Sequence, residues 1–301
     1  VIRIERILAP NPSEYTLEGT NTWIVGADPS FVIDPGPDIA SHRTEVARSA
    51  GSVAMVLITH DHPDHAPGAA AFARLTGAPI RAFRLPGAEP LGDGRILRAG
   101  AVELVALHTP GHTQDHVALH LPVERAIFTG DAVLGRGTSF IDPPDGNLMQ
   151  YLRSLRRMAD LDPRTLYPGH GPTVFDAPAK LVYYLAHRQD RERQVLAALG
   201  EMPAATIDDL AQLIYADYPP QVLPLAARSV LAHLEKLESE GRVSRDGTGD
   251  GAAWSLQAER ACARCGKPIR GRGRICGPCS LTLLQEGRDA PPEPGTDPDE
   301  D

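Results

Sequence analysis

The stretch that most constrains this chain is Thr59-His60-Asp61-His62-Pro63-Asp64-His65, which follows directly on the apolar run Val53–Ile58. Three imidazoles and two carboxylates in so short a segment cannot all be buried in a core, because each would need a polar partner there. A β-rich run that ends in such a cluster aims its side chains from a rigid strand end. Neutral imidazole and carboxylate together form a donor set for Zn2+ and other first-row metals. The fold must therefore bring this strand end to wherever further donors lie.

Three other strand ends repeat the pattern. Thr109-Pro110-Gly111-His112 closes the β-rich run Val102–His108, and Thr129-Gly130-Asp131 closes Ala126–Phe128. Tyr167-Pro168-Gly169-His170-Gly171 follows Thr165–Leu166. Each tight turn presents one metal-competent side chain, and loops at the ends of strands are where sites are commonly built. Further strands are predicted over Thr22–Val25, Ser30–Asp34, Ile80–Phe83 and His116–Leu121. Helices are predicted over Ala66–Thr76 and Leu148–Asp160, the latter with Leu152, Leu155 and Met158 on one face. Strands outnumber the helices between them up to residue 175, which fits two packed sheets with outer helices.

The series H-x-H-x-D-H, P-G-H-T, G-D and P-G-H-G resembles the metallo-β-lactamase-fold hydrolases over roughly residues 15–175. The resemblance implies an α+β fold with an αββα sandwich and a dinuclear metal site, expected to hold two Zn2+, with Fe or Mn as substitutes. It also implies that His60, His62 and His112 hold one ion, that Asp64, His65 and His170 hold the other, and that Asp131 bridges both. The implied activity is a metal-dependent hydrolase attacking with a hydroxide held at the dinuclear site, with Asp64 and Asp131 as its catalytic carboxylates. Asp61 is expected to support a neighbour or face solvent, and His108, His116 and His120 to be strand or supporting residues. His42, His187 and His233 have no evident partner.

Asp131 stands where many true β-lactamases carry Cys, which argues against antibiotic hydrolysis as the main activity. His62 replaces the Glu of flavo-diiron oxygen reductases. The 39 positions from Asp131 to His170 leave no room for the inserted domain of the superfamily's nucleic-acid processing nucleases. Gly19-Thr20-Asn21-Thr22-Trp23, Gly111-His112-Thr113-Gln114-Asp115-His116, Gly135-Arg136-Gly137-Thr138 and His187-Arg188 with Arg191–Gln194 are similar to the β-lactamase-like protein 2 group. That likeness implies a winged-helix-like domain after the catalytic one and, as substrate, single-stranded RNA. Asn21 and Thr138 are read as cleft-lining or turn residues. Two alternatives stay open: a thioester or ester hydrolase of the glyoxalase II kind, and a nucleic-acid-binding regulator with a relict metal site.

The expected organisation is a catalytic domain over 1–177, a winged-helix-like domain over 178–257, a zinc-knuckle segment over 258–288 and an acidic disordered tail over 289–301. Helices are predicted over Ala179–Leu199, Ile207–Tyr215 with a Thr206 cap, and Pro224–Glu240, before a hairpin of Arg242–Arg245 and Ala252–Leu256. Glu235, Glu238 and Glu240 on the third helix favour a packing or dimerising role over docking to nucleic acid. Cys262, Cys265, Cys276 and Cys279 form two C-x2-C pairs that suit one structural Zn2+; disulfides are the alternative. With −6 in the tail and +5 in the knuckle segment, the remainder of the −9 total is −8, so the body is a poor general nucleic-acid binder. No run approaches the ~18 apolar residues of a membrane span. The N-terminus lacks a secretory apolar region and the first 261 residues lack cysteine, so a cytoplasmic protein is expected. The partners expected are a small-molecule or RNA substrate and, in keeping with a packing module, a second copy of the chain.

Overall fold

The computed structural model describes residues 2–249 and 251–257, together with 260–261, 265 and 268–269. Its architecture is an α+β sandwich. The first sheet contains, in spatial order, β1 (Ile4–Leu8), β2 (Asn21–Val25), β3 (Ser30–Ile33), β4 (Val53–Leu57), β5 (Ile80–Ala82) and β6 (Glu89–Pro90). The second has β11 (Thr165–Pro168), β10 (Ala126–Gly130), β9 (Val117–Leu121), β8 (Val102–His108) and β7 (Ile96–Ala99). Trp23, Phe31, Leu57, Leu104, Leu119 and Phe128 fill the space between the sheets. α1 (Ala40–Ala50) and α2 (Ala69–Thr76) cover the outer face of the first sheet through Val46 and Phe72. α3 (Leu148–Asp160) and the first half of α4 (Ala177–Glu201) cover the second through Leu152, Leu155, Leu181 and Tyr184.

Strand direction decides where the chemistry gathers. β3 and β4 are parallel, with Ile33 opposite Leu57, so their C-terminal ends lie side by side and Asp34 sits next to the His-rich loop. β10 and β11 are also parallel, with Gly130 opposite Pro168, which places Asp131 beside the loop of His170. β8 and β9 pair antiparallel, so the turn bearing His112 emerges at that same edge. The edges of the two sheets are joined there: Val117 N–H donates to Thr59 O at 2.7 Å, and Asn21 N–H to Gly169 O at 2.7 Å.

Most expected elements form within one to three residues of their predicted bounds, and α3 matches at both ends. The sequence reading missed β1, β6, β7 and α1. β1 is an edge strand whose run Ile-Glu-Arg-Ile-Leu carries charge, and α1 buries only His42, Val46 and Ala50, a face too weakly apolar to stand out.

Beyond the sandwich, α4 continues into a second core with α5 (Ile207–Ile214), α6 (Leu223–Ser239) and the hairpin β12 (Val243–Asp246) and β13 (Ala253–Leu256). Thr206 caps α5 in a reciprocal box with Asp209. Because Leu181 belongs to one core and Val195 to the other, α4 is shared, and the boundary placed at 177/178 falls at its first turn. α6 is the third helix of the winged-helix order, yet it is given over to packing. Ala232 enters the core of the sandwich, Arg228 bonds Asp142 and Pro143 O, and Lys236 bonds Glu192. Of the four cysteines only Cys265 is described, as exposed; Cys262, Cys276, Cys279, most of the knuckle segment and the acidic tail lie outside the described residues.

Candidate metal centre

All seven donors that the sequence singled out meet at the shared edge. His60, His62, His112 and Asp131 form one group and Asp64, His65 and His170 another, with the candidate ligand atoms of each group within 4.8 Å of one another. In the first, His62 Nδ1 lies 2.9 Å from His60 Nε2 and 3.3 Å from His112 Nε2. In the second, His65 Nε2 and His170 Nε2 are 3.3 Å apart, and Asp64 Oδ2 is 3.3 and 3.1 Å from them. Donors about 2.0–2.2 Å from a common tetrahedral ion would stand about 3.3–3.5 Å from each other, so these spacings suit cation ligation. Asp131 lies between the groups. Its oxygens are 3.5 and 3.3 Å from His65 and His170, and 4.0 and 3.8 Å from His60 and His112. Its Oδ1 is buried with no hydrogen-bond partner among the described residues, as an atom reserved for a cation would be.

The rings are aimed by their other nitrogens. His112 Nδ1–H donates to Phe140 O at 2.8 Å, and His170 Nδ1–H to Gly19 O at 3.2 Å. His65 Nδ1 lies 2.9 Å from Asp34 Oδ2, and His60 Nδ1 lies 2.9 Å from Thr59 Oγ1. Each bond leaves Nε2 facing the centre, the usual device for orienting a ligating histidine. Asp34 carries the most of this support, since it also accepts from Thr59 N–H at 2.8 Å and Thr59 Oγ1–H at 2.7 Å. The sequence reading did not name Asp34. Its signal was present: Ile33-Asp34-Pro35-Gly36 is another donor at a strand end beside a Pro-Gly turn.

Two further assignments sharpen. His116 lies outside the two donor groups: its Nε2 accepts the Asp131 backbone N–H at 3.2 Å and its Nδ1 meets Thr109 Oγ1 at 2.8 Å, which holds Asp131 in place. The Gly19–Trp23 motif is a clamp. Thr20 Oγ1–H donates to Asp64 Oδ2 at 2.8 Å, Asn21 Nδ2 to Pro168 O and Gly171 O at 2.9 Å, and Trp23 Nε1 to Pro168 O at 3.0 Å. Asn21 therefore fixes the His170 loop instead of lining a cleft. Gly169 in that loop admits no side chain, because a Cβ would stand 2.5 Å from Asp131 Oδ1 and 2.8 Å from the His65 ring. His42 finds a partner in Thr22 Oγ1 at 2.9 Å.

Burial opposes charge on the whole cluster, and its members settle it unequally. Burial pushes Asp131 and Asp64 up, yet His170 and His65 outweigh it and hold both well below the usual carboxylate range. Burial lowers His65 and His170, but the carboxylates around them raise the former well above the usual range and the latter to about 9. Burial keeps His60, His112 and His116 low, hence neutral. The carboxylates favour positive charge in the pocket, which divalent cations held by these donors can supply.

A two-sheet sandwich with helices outside and a His/Asp cluster at one shared edge is the architecture of a metal-dependent hydrolase. The chain belongs to the metallo-β-lactamase superfamily: the model of that family matches residues 15–170, and that of the β-lactamase associated winged helix domain matches residues 206–254. It is a hydrolase of that fold. Among its relatives is the β-lactamase-like protein 2 homolog of Drosophila melanogaster, 32% identical over 263 residues, covering 79% of this chain and 88% of that one. The atrochrysone carboxyl ACP thioesterase of Aspergillus chevalieri is 33% identical over 275 residues, covering 86% and 88%. A solved metallo-β-lactamase family protein from Thermus thermophilus shares the fold with a TM-score of 0.70 and 23% identity, covering 84% of this chain and 98% of that one. No helix among the described residues is long and apolar enough to cross a membrane.

Proposed function

We propose that this protein hydrolyses a phosphodiester of single-stranded RNA at a dinuclear metal centre. The observation that carries the hydrolytic reading is the Asp131 carboxylate within 4.0 Å of four imidazoles, with the two donor groups on either side of it. His60, His62 and His112 would hold one ion and Asp64, His65 and His170 the other, with Asp131 shared; Zn2+ suits the set, and Fe or Mn are accommodated by the same donors. When bound, such a pair supplies Lewis acidity and an activated water. Asp64, kept ionised and anchored by Thr20, would help hold the second ion and would orient the attacking water. His116 and Ser139 hold Asp131 through its backbone N–H and C=O, so the bridge keeps its place during turnover.

A second reading, thioester hydrolysis, is favoured by the resemblance to the Aspergillus chevalieri thioesterase. A nucleic-acid-binding regulator with a relict site fits less well, since all seven donors are in register. The four cysteines would hold one further structural Zn2+, and the cysteine-free first 261 residues suit a cytoplasmic setting.

The test assays metal-loaded protein side by side on an RNA oligomer, bis-p-nitrophenyl phosphate and a thioester. Cleavage of RNA and the phosphodiester, lost in Asp131→Ala with the fold retained, is expected. Thioester turnover without phosphodiesterase activity moves the assignment to the second reading, and full activity in Asp131→Ala removes both. Metal analysis in the same preparation should return about three ions per chain, one of them lost in Cys262→Ser.

A further inference from the structure

Where α3, α4 and α6 meet, on the side of the second sheet, lies a cavity of about 470 Å3. That is within the ~300–1,000 Å3 of small-molecule sites. Arg153 and Arg156 of α3, Arg188 of α4 and Lys236 of α6 line it, with Met149 and Leu185 as apolar wall. It belongs to neither of the donor groups described above. Two carboxylates also reach it, but both are already engaged. Lys236 Nζ lies 2.5 Å from Glu192 and 2.7 Å from Glu240, and Arg242 contacts the same two residues. Arg153, Arg156 and Arg188 make no ion pair with a carboxylate among the described residues. In a body that is acidic overall, three guanidiniums without counter-charge around one cavity are out of keeping with a merely solvated face.

Arg188 forms the buried floor of the group: its residue is only 5% exposed, and its guanidinium is held by Ser139 O and by the Tyr151 ring, 5.4 Å from the guanidinium carbon. We infer that this cavity binds the phosphate group of a phosphorylated ligand. The planar forks of Arg153 and Arg156 match tetrahedral oxyanions, and the unpaired charge of Arg188 behind them adds to the attraction. The apolar wall accommodates a short carbon segment attached to the phosphate. The site is also joined to the metal centre. The Arg188 guanidinium donates to Ser139 O, while Ser139 Oγ–H donates to Asp131 O at 2.5 Å and stands 3.4 Å from His112 Nδ1.

The inference does not depend on which bond the enzyme cuts. It is tested by calorimetric titration of the full-length, metal-loaded chain with inorganic phosphate, in the wild type and in the double variant Arg153→Ala/Arg156→Ala. Both arginines are exposed, so the fold should survive. Phosphate resting on the metals is indifferent to these two residues. Phosphate in the cavity loses about tenfold or more in affinity in the double variant, and its binding to wild type weakens as ionic strength rises. Equal affinity in wild type and double variant overturns the inference.

Kinetics then separate the two sources of the phosphate. A raised KM for a phosphorylated substrate, with turnover of a neutral chromogenic ester unchanged, places the substrate's own phosphate in the cavity. Modulation of the neutral ester by free phosphate, abolished in the double variant, makes the site regulatory. If no substrate is hydrolysed, the proposed function fails while the binding result still decides this inference.

Discussion

Asp34→Asn tests whether the metal centre is held from behind as the geometry requires. Asp34 is 1% exposed and accepts from Thr59 N–H, from Thr59 Oγ1–H and, through Oδ2, from His65 Nδ1. Its backbone is left-handed, with φ of 50°, a conformation that Asn tolerates and Ala does not, so the amide is the cleaner perturbation. Asn keeps one acceptor for the Thr59 N–H but turns an N–H toward His65. His65 then accepts at Nδ1 and carries its proton on Nε2, the nitrogen that faces His170 and Asp131. That tautomer cannot ligate, so binding must first reverse it. Residues that orient ligating histidines are worth about 10–100-fold in metal affinity, or about 1.4–2.8 kcal/mol at 1.4 kcal/mol per tenfold. The assay is chelator competition on the purified variant, with circular dichroism to confirm that the fold persists. The weaker binding should fall on the ion of the Asp64, His65 and His170 group. Affinity for both ions within about twofold of wild type, in a folded variant, would refute the reasoning, since the cited range begins at ~10-fold.

Two other outcomes follow from the same structure. Gly169→Ala should lose metal and activity while the sandwich still folds, because the new Cβ would collide with Asp131 and His65 and not with the core; metal content at unchanged secondary structure checks this. Acid should destabilise the protein through three histidines outside the centre. Burial lowers His42 and His233, and burial with Arg188 and Arg191 lowers His187 to about 4. Each is held neutral in the fold and gains a proton on unfolding below its ordinary value of about 6.5. Their contribution is thus complete above pH ~6.5 and is lost as pH falls toward 4. Melting temperatures between pH 7.5 and 4.5 should show that decline. His233→Leu should blunt it and raise Tm at neutral pH, because both His233 nitrogens are buried without partners. A lower Tm in that variant contradicts the account.

The chain's own order of residues determined the donors, their strand-end positions and their succession along the chain. It did so because strand runs, Pro-Gly turns and the i, i+3 box of Thr206 and Asp209 are local patterns, readable over a few residues. The same locality placed α3 and the helix–helix–helix–hairpin order of the second core. What the tertiary structure alone decided is separated in sequence and adjacent in space. Asp34 reaches His65 across 31 positions, Asn21 holds the His170 loop across about 150, and Arg228 ties α6 to Asp142 across 86. The charges of α6 favoured packing over nucleic-acid docking, but which residues it packs against, Asp142, Pro143 and Glu192, only the tertiary structure decided. His116 was expected as a strand or supporting residue, and the tertiary structure decided what it supports: parallel β10 and β11 and antiparallel β8 and β9 set its ring against the Asp131 backbone N–H. Side-chain type sets which chemistry is available, and strand direction sets which residues meet, because hydrogen-bonded sheets bring distant segments into fixed register.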